Sequence, residues 1–137
     1  HSEADIVVTP HPGEAKRLLG IDIITKREET VLDIAKTFDV TAVLKGAGTL
    51  IALPEGKVFL NDTGNPGMAT GGAGDVLTGI IAGLMGQRLP AADAAAAGVY
   101  IHGLAGDMAA AEIGMTGMTA MDICDFTAKA FKYVLGK

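Results

Sequence analysis

The stretch NPGMATGGAGDVLTG, residues 65–79, places five glycines and one carboxylate just ahead of an apolar pattern of helical period. Val76, Leu77, Ile80, Ile81, Leu84 and Met85 recur at i, i+3 and i+4, so a helix is predicted to begin at Ala73. Consecutive N–H groups at a helix start, aided by the helix dipole, form an anion site. Glycine lets such a loop take positive φ and lets a ligand approach the backbone closely. Gly71-Gly72-Ala73-Gly74-Asp75 meets both demands. The familiar phosphate templates do not fit. Counting from Gly67, Ala73 stands where a P-loop needs lysine, and Gly72-Ala73-Gly74 is followed by Asp75, Val76 and Leu77, which fails the dinucleotide fingerprint at its third glycine. Asp75, in the first helical turn, has two readings at this level. It can complement the dipole for about 0.3–1 kcal/mol, or act as a base that takes the proton of an attacking hydroxyl.

An anion held in this way must be held locally. The 137 residues carry a formal net charge of −5 with only eleven Lys and Arg and no basic run. That balance excludes nucleic acid and anionic membranes as expected partners. A hydrophobic content of 49% supports a packed core, and the length suits one domain. The lone Cys124 excludes an internal disulfide and fits a reducing compartment. The most apolar stretch, 94–111, is Ala/Gly-rich and broken by His102 and Asp107, so it is not read as membrane-spanning. A globular cytoplasmic protein is expected. The chain opens at His1 without methionine and runs almost at once into a strand, which reads as part of a longer protein.

Four strands are predicted: a buried one at 4–10, then 41–46, 49–53 and 57–61, the last two joined by the Pro54-Glu55-Gly56 turn. A short helix covers Glu14 to Leu19 with Gly20 as its stop. A second helix is predicted from a Thr25/Glu28 capping box, with Val31, Leu32, Ile34, Ala35 and Phe38 as its apolar stripe. Gly79 and Gly83 lower helix propensity by about 1 kcal/mol each, and close packing against a neighbour is the expected reason for them. An Ala-rich helix follows over about 91–112, and a last one over 120–135, capped by Thr119 with Asp122 three residues on. Strands come first and helices last, so the α/β class is expected with a half-sheet, completed by residues outside this chain or by another chain.

Gly-Gly-Ala-Gly-Asp (71–75) opening a helix resembles the glycine–aspartate signature of the ribokinase-like superfamily, and Thr9-Pro10-His11-Pro12-Gly13-Glu14 resembles its Asn-x-x-Glu motif after a strand. With Lys45-Gly46-Ala47-Gly48-Thr49 and Asn65-Pro66-Gly67-Met68-Ala69-Thr70, the resemblance narrows to the ADP/ATP-dependent NAD(P)H-hydrate dehydratases. It spans nearly all of residues 1–137, read as the C-terminal half of one such domain, a partial three-layer α/β/α sandwich. The resemblance implies repair of hydrated NADH or NADPH: ADP or ATP phosphorylates the ring hydroxyl, and phosphate then leaves. Asp75 would match the catalytic aspartate and touch the substrate; Gly72, Ala73 and Gly74 would form the anion hole. Lys45, Gly46, Ala47, Gly48, Thr49 and Gly74 would hold the nucleotide, His11 the hydrated nicotinamide nucleotide, and Glu14 a Mg²⁺ ion through water. Ala73 departs from the hydroxyl residue that many members carry there.

Blander readings stand beside these. Lys45 is also an ordinary strand-end lysine, Glu14 a helix-start charge, and His11 a turn histidine. His102 is expected as a satisfied core or interface histidine, and Met115, Met118 and Met121 as gap-filling core or interface. Asp122 and Asp125 are expected to serve the start of the last helix, and Asp107 and Glu112 to form a solvated face. Three scattered histidines and one cysteine give no metal-ligand spacing. Competing functions are a vitamin-pathway kinase acting on a hydroxymethylpyrimidine or hydroxyethylthiazole alcohol, and a non-catalytic nucleotide-binding fragment. A homo-oligomer is expected from the Ala/Gly helix faces and loop methionines.

Overall fold

The computed structural model describes residues 5–137. Its elements run β1 (Val7–Val8), α1 (Pro12–Leu19), α2 (Arg27–Phe38), β2 (Thr41–Leu44), β3 (Leu50–Ala52), β4 (Val58–Leu60), a 3₁₀ turn (Pro66–Met68), α3 (Ala73–Gly86), α4 (Ala91–Ile113) and α5 (Ala120–Leu135). The strands form one mixed sheet in the order β1-β2-β3-β4, with β1 and β2 parallel and the other pairs antiparallel.

Side-chain alternation along β2 and β3 explains the layers. Ala42, Leu44, Leu50 and Ala52 face α1 and α2, meeting Ala15, Val31, Ile34 and Ala35. Val43 and Ile51 face the other way, onto Leu77, Ile81, Leu84, Ala94, Ala95 and Val99 of α3 and α4. Helices therefore cover both faces, giving the expected three-layer α/β/α arrangement. A further cluster, including Ile101, Ala105, Ile123 and Phe126, packs α5 onto α4.

Several expectations need correction. The strand predicted at 4–10 is only Val7–Val8, half-buried rather than buried, because it lies at the end of the sheet with β2 as its one partner among the described residues. The Thr25/Glu28 capping box does not form: α2 starts one residue later, with Lys26 as an N-cap that has no side-chain hydrogen bond. Phe38 leaves the buried stripe and is exposed. Of the three methionines only Met118 is core; Met115 and Met121 are exposed. Gly79 and Gly83 face open space: beyond the adjoining backbone of α3, no atom of the described residues lies within 4 Å of where a Cβ would stand. The Thr119/Asp122 box does form. His1 lies outside the described residues, as does Ala4 of the first predicted strand.

Candidate active site

Three loops from different layers supply the site. The first follows β1. His11 is the N-cap of α1: its Nδ1 accepts from the Glu14 N–H at 3.2 Å, while its own N–H donates to Glu14 Oε1 at 3.0 Å. The His11–Glu14 reciprocity is a capping box built with histidine in place of Ser or Thr. Because Nδ1 accepts, the proton of the neutral ring sits on Nε2, 3.4 Å from Glu14 Oε1. The backbone hydrogen bond from His11 lowers the Glu14 pKa below the usual carboxylate value; desolvation opposes this, and the Lys45 and Arg17 charges add smaller help.

The second loop joins β2 to β3. The Lys45 N–H donates to the Pro10 carbonyl at 3.0 Å and so fastens this loop to the first. Lys45 Nζ lies 3.0 Å from where a Cβ on Gly74 would stand, which brings its ammonium against the first turn of α3. No hydrogen bond or ion pair to the Lys45 ammonium exists among the described residues.

The third loop, residues 62–72, is the glycine stretch. Gly72 is the N-cap of α3 at φ +90°, a left-handed conformation that favours glycine, and no side chain caps the helix. The Ala73 N–H donates to Thr70 O at 3.2 Å and the Val76 N–H to Gly72 O at 3.2 Å. The N–H groups of Gly72, Gly74 and Asp75 have no acceptor among the described residues. The carboxylate of Asp75, an exposed residue, likewise has no partner there. The local result is a set of unused donors and an unpaired carboxylate in the first turn of α3, with an unpaired ammonium against Gly74, which can bind a phosphate and accept a proton.

Helix α4 fixes this loop from below. Asp107 accepts from the Gly64 N–H at 3.0 Å and from Asn65 Nδ2 at 2.9 Å, and Thr63 Oγ1 donates to the Tyr100 carbonyl at 2.9 Å. Asp107 is thus a loop anchor, not the solvated-face residue expected. His102 Nε2 lies 3.0 Å from the Ala73 carbonyl, so it carries the proton and donates. Burial depresses the His102 pKa below its usual value; the Ala73 contact opposes this and the Lys45 charge adds to it. His102 is therefore satisfied, as expected, but its partner is the start of α3.

The loops meet at an open surface. One depression of about 500 Å³ lies beside Thr9, Pro10, Glu14 and Arg17, and another of about 710 Å³ between the C-terminal ends of α4 and α5. Neither is lined by Lys45 or Asp75.

Comparison with known proteins decides among families. A sequence model of the family described as NAD(P)H-hydrate dehydratase matches residues 1–129. The chain belongs to this family. It is 54% identical over 124 residues to the bifunctional NAD(P)H-hydrate repair enzyme of Moorella thermoacetica, covering 88% of this chain and 23% of that protein. The structure of the ADP/ATP-dependent NAD(P)H-hydrate dehydratase of Bacillus subtilis, co-crystallised with ATP and Mg²⁺, superposes with a TM-score of 0.91 at 34% identity, covering 97% of this chain and 49% of that one. A ribokinase-like superfamily protein of Enterococcus faecalis matches with a TM-score of 0.75 at 36% identity, covering 93% of this chain and 44% of its own. The fold is ribokinase-like, and the chain spans about half the length of these solved relatives.

Within this fold, Lys45 joins two of the predicted site segments: its N–H binds the Pro10 carbonyl beside the His11–Glu14 box, and its ammonium lies against Gly74 in the first turn of α3. Three supporting residues escaped the sequence reading: Arg27, His102 and Asp107. Gly103, Gly106 and Asp107 share one helical face at i, i+3 and i+4, and small residues plus one acid on that face are the signal that could have marked where the loop lies. No comparable pattern marks Arg27.

Proposed function

We propose that this chain is the C-terminal half of an NAD(P)H-hydrate dehydratase domain, and that it serves the nucleotide-dependent conversion of hydrated NADH or NADPH to NADH or NADPH. The observation that carries this is the first turn of α3, where the open Gly72, Gly74 and Asp75 amides, the Lys45 ammonium and the Asp75 carboxylate converge. The loop 45–49 and Gly74 hold the phosphates of ADP or ATP, and the open amides of Gly72 and Gly74, with Ala73 between them tied to Thr70 O, stabilise the transferring group. His11, exposed at the mouth of α1, contacts the hydrated nicotinamide nucleotide.

In the first step the ring hydroxyl oxygen attacks the terminal phosphorus, its proton passes to Asp75, and the bond to the nucleotide's bridging oxygen breaks, releasing ADP from ATP or AMP from ADP. Phosphate then leaves the ring with the C–O bonding pair, and loss of a neighbouring ring proton restores the double bond. A Mg²⁺ ion brought with the nucleotide would supply neutralisation of phosphate charge, with Glu14 as the residue that would help to hold it through water. Glu14 fits an outer role toward that ion: it is anionic and partly open, and no cluster of three metal-ligating side chains exists among the described residues.

The test is recovery of reduced-nicotinamide absorbance from hydrated NADH with Mg²⁺ and ADP or ATP. Asp75→Asn is expected to abolish recovery while nucleotide still protects the protein against thermal unfolding. Loss of binding with rate retained would sink the assignment. Binding without recovery by the native chain would favour a nucleotide-binding half that needs the remaining domain. The exposed Cys124 fits a cytoplasmic setting, and the exposed Met121, Tyr133, Val134 and Leu135 on α5 fit a homo-oligomer, which light scattering would measure.

A further inference from the structure

Arg27, the first residue of α2, reaches across to the loop between β2 and β3. Its Nη1 donates to the carbonyl oxygens of Ala47 at 3.1 Å and Gly48 at 3.0 Å. Across a planar trans peptide the C=O and the following N–H point in opposite directions. Holding both carbonyls on one guanidinium therefore turns the N–H groups of Gly48 and Thr49 away from α2. Neither N–H has an acceptor among the described residues. The backbone cooperates: Gly48 sits at φ +71°, in the left-handed region, and Thr49 Oγ1 closes the loop by donating to Gly46 O at 3.2 Å. A Cβ on Gly46 would stand 3.0 Å from Arg27 Nη2, so the glycine leaves the guanidinium room.

The arrangement is costly for stability alone. Arg27 Nη2 is buried without a hydrogen-bond partner, so its desolvation goes uncompensated. An apolar side chain at 27 would avoid it but would leave the two carbonyls unheld.

We propose that Arg27 is a positioning residue for phosphate binding: by fixing the Ala47 and Gly48 carbonyls it aims the Gly48 and Thr49 amides at a phosphate of a nucleoside di- or triphosphate. Its charge stands behind that nest of donors. The inference rests on the reading of residues 45–49 as nucleotide-binding, and it does not depend on turnover.

The experiment is an ADP titration of the ¹⁵N-labelled chain, following the amide resonances of Gly48, Thr49 and Gly74. In the native chain all three respond. Arg27→Met, which keeps the stem but removes the donors, is expected to weaken ADP binding by about tenfold or more, with the Gly48 and Thr49 responses lost and the Gly74 response kept at saturation. Arg27→Lys, with a single ammonium on a shorter stem, is expected to recover part of the affinity. If Arg27→Met fails to melt cooperatively, Arg27→Lys decides, and it should bind about three- to fivefold more weakly than the native chain. Affinity within about twofold of native in Arg27→Met, or in Arg27→Lys when that variant decides, overturns the proposal, as does an absence of Gly48 and Thr49 responses in the native chain. Failure of NADH recovery with these responses intact would point to a nucleotide-binding half that needs the remaining domain, and would leave the role of Arg27 standing.

Discussion

Helices α3 and α4 are both marked by glycines in the sequence, and the structure uses them in opposite ways. In α4, Gly98 lies against Ile81, Gly103 against Thr63 and Gly106 against Met68, each too close to admit a Cβ without movement. In α3, Gly79 and Gly83 touch nothing among the described residues. Gly103 and Gly106 exist so that the 62–72 loop can lie on the helix and be tied to it by Asp107 and the Tyr100 carbonyl. The glycines of α3 gain no contact that would offset their cost in helix propensity. A helical glycine is thus informative only together with what approaches it.

The hardest test of this contrast is Gly103→Ala. Its Cβ would strike Thr63 Oγ1 and stand 2.7 Å from the Thr63 carbonyl carbon, which is backbone and cannot swing aside. A loss of about 3 kcal/mol in denaturant unfolding is expected, and a loss under about 0.5 kcal/mol would break the contrast at its strong end. Asp107→Ala removes the acceptor of two loop donors and is expected to cost about 2 kcal/mol, with the damage concentrated in the loop. Proteolysis within 62–72 should rise while the core clusters stay protected.

The α3 side is expected to move the other way. Gly79→Ala and Gly83→Ala should each stabilise the chain by about 0.5–1 kcal/mol; destabilisation would mean that this face is covered in solution. The smallest effect concerns pH. The folded-state pKa of His102 lies below its ordinary value of 6.5, so the unfolded chain takes up the proton first. Stability is then full above about pH 6.5 and declines as pH falls below it. His102→Gln, which keeps a donor toward the Ala73 carbonyl, should flatten that decline between pH 7 and about pH 5.

Much of this molecule was legible from its residues. Period and caps marked the start of α3 at Ala73 and the Thr119/Asp122 box of α5, because both signals are local. The glycine loop announced itself because unused amides need glycine, whatever surrounds them. What stayed hidden depends on partners far along the chain. Lys26 replaced Thr25 as the cap of α2, and the helix then begins at Arg27, whose side chain binds carbonyls 20 and 21 residues away. Asp107 looked solvated because its two donors lie 43 and 42 residues earlier. His102 looked like core because nothing nearby shows that it meets the Ala73 carbonyl.

Those sequence separations also bear on the order in which the protein takes shape. The ties of the 62–72 loop to α4 span 37 to 43 residues, and closing a segment of that length gives up chain entropy that only a docked α4 can offset. The 62–72 segment is therefore a late product of folding, ordered by a helix that lies after it in the chain. During synthesis its shape waits for residue 107 to emerge. Amide exchange at Gly64, whose N–H is held by Asp107, should then report the opening of α4, since that proton is released when the helix lets go.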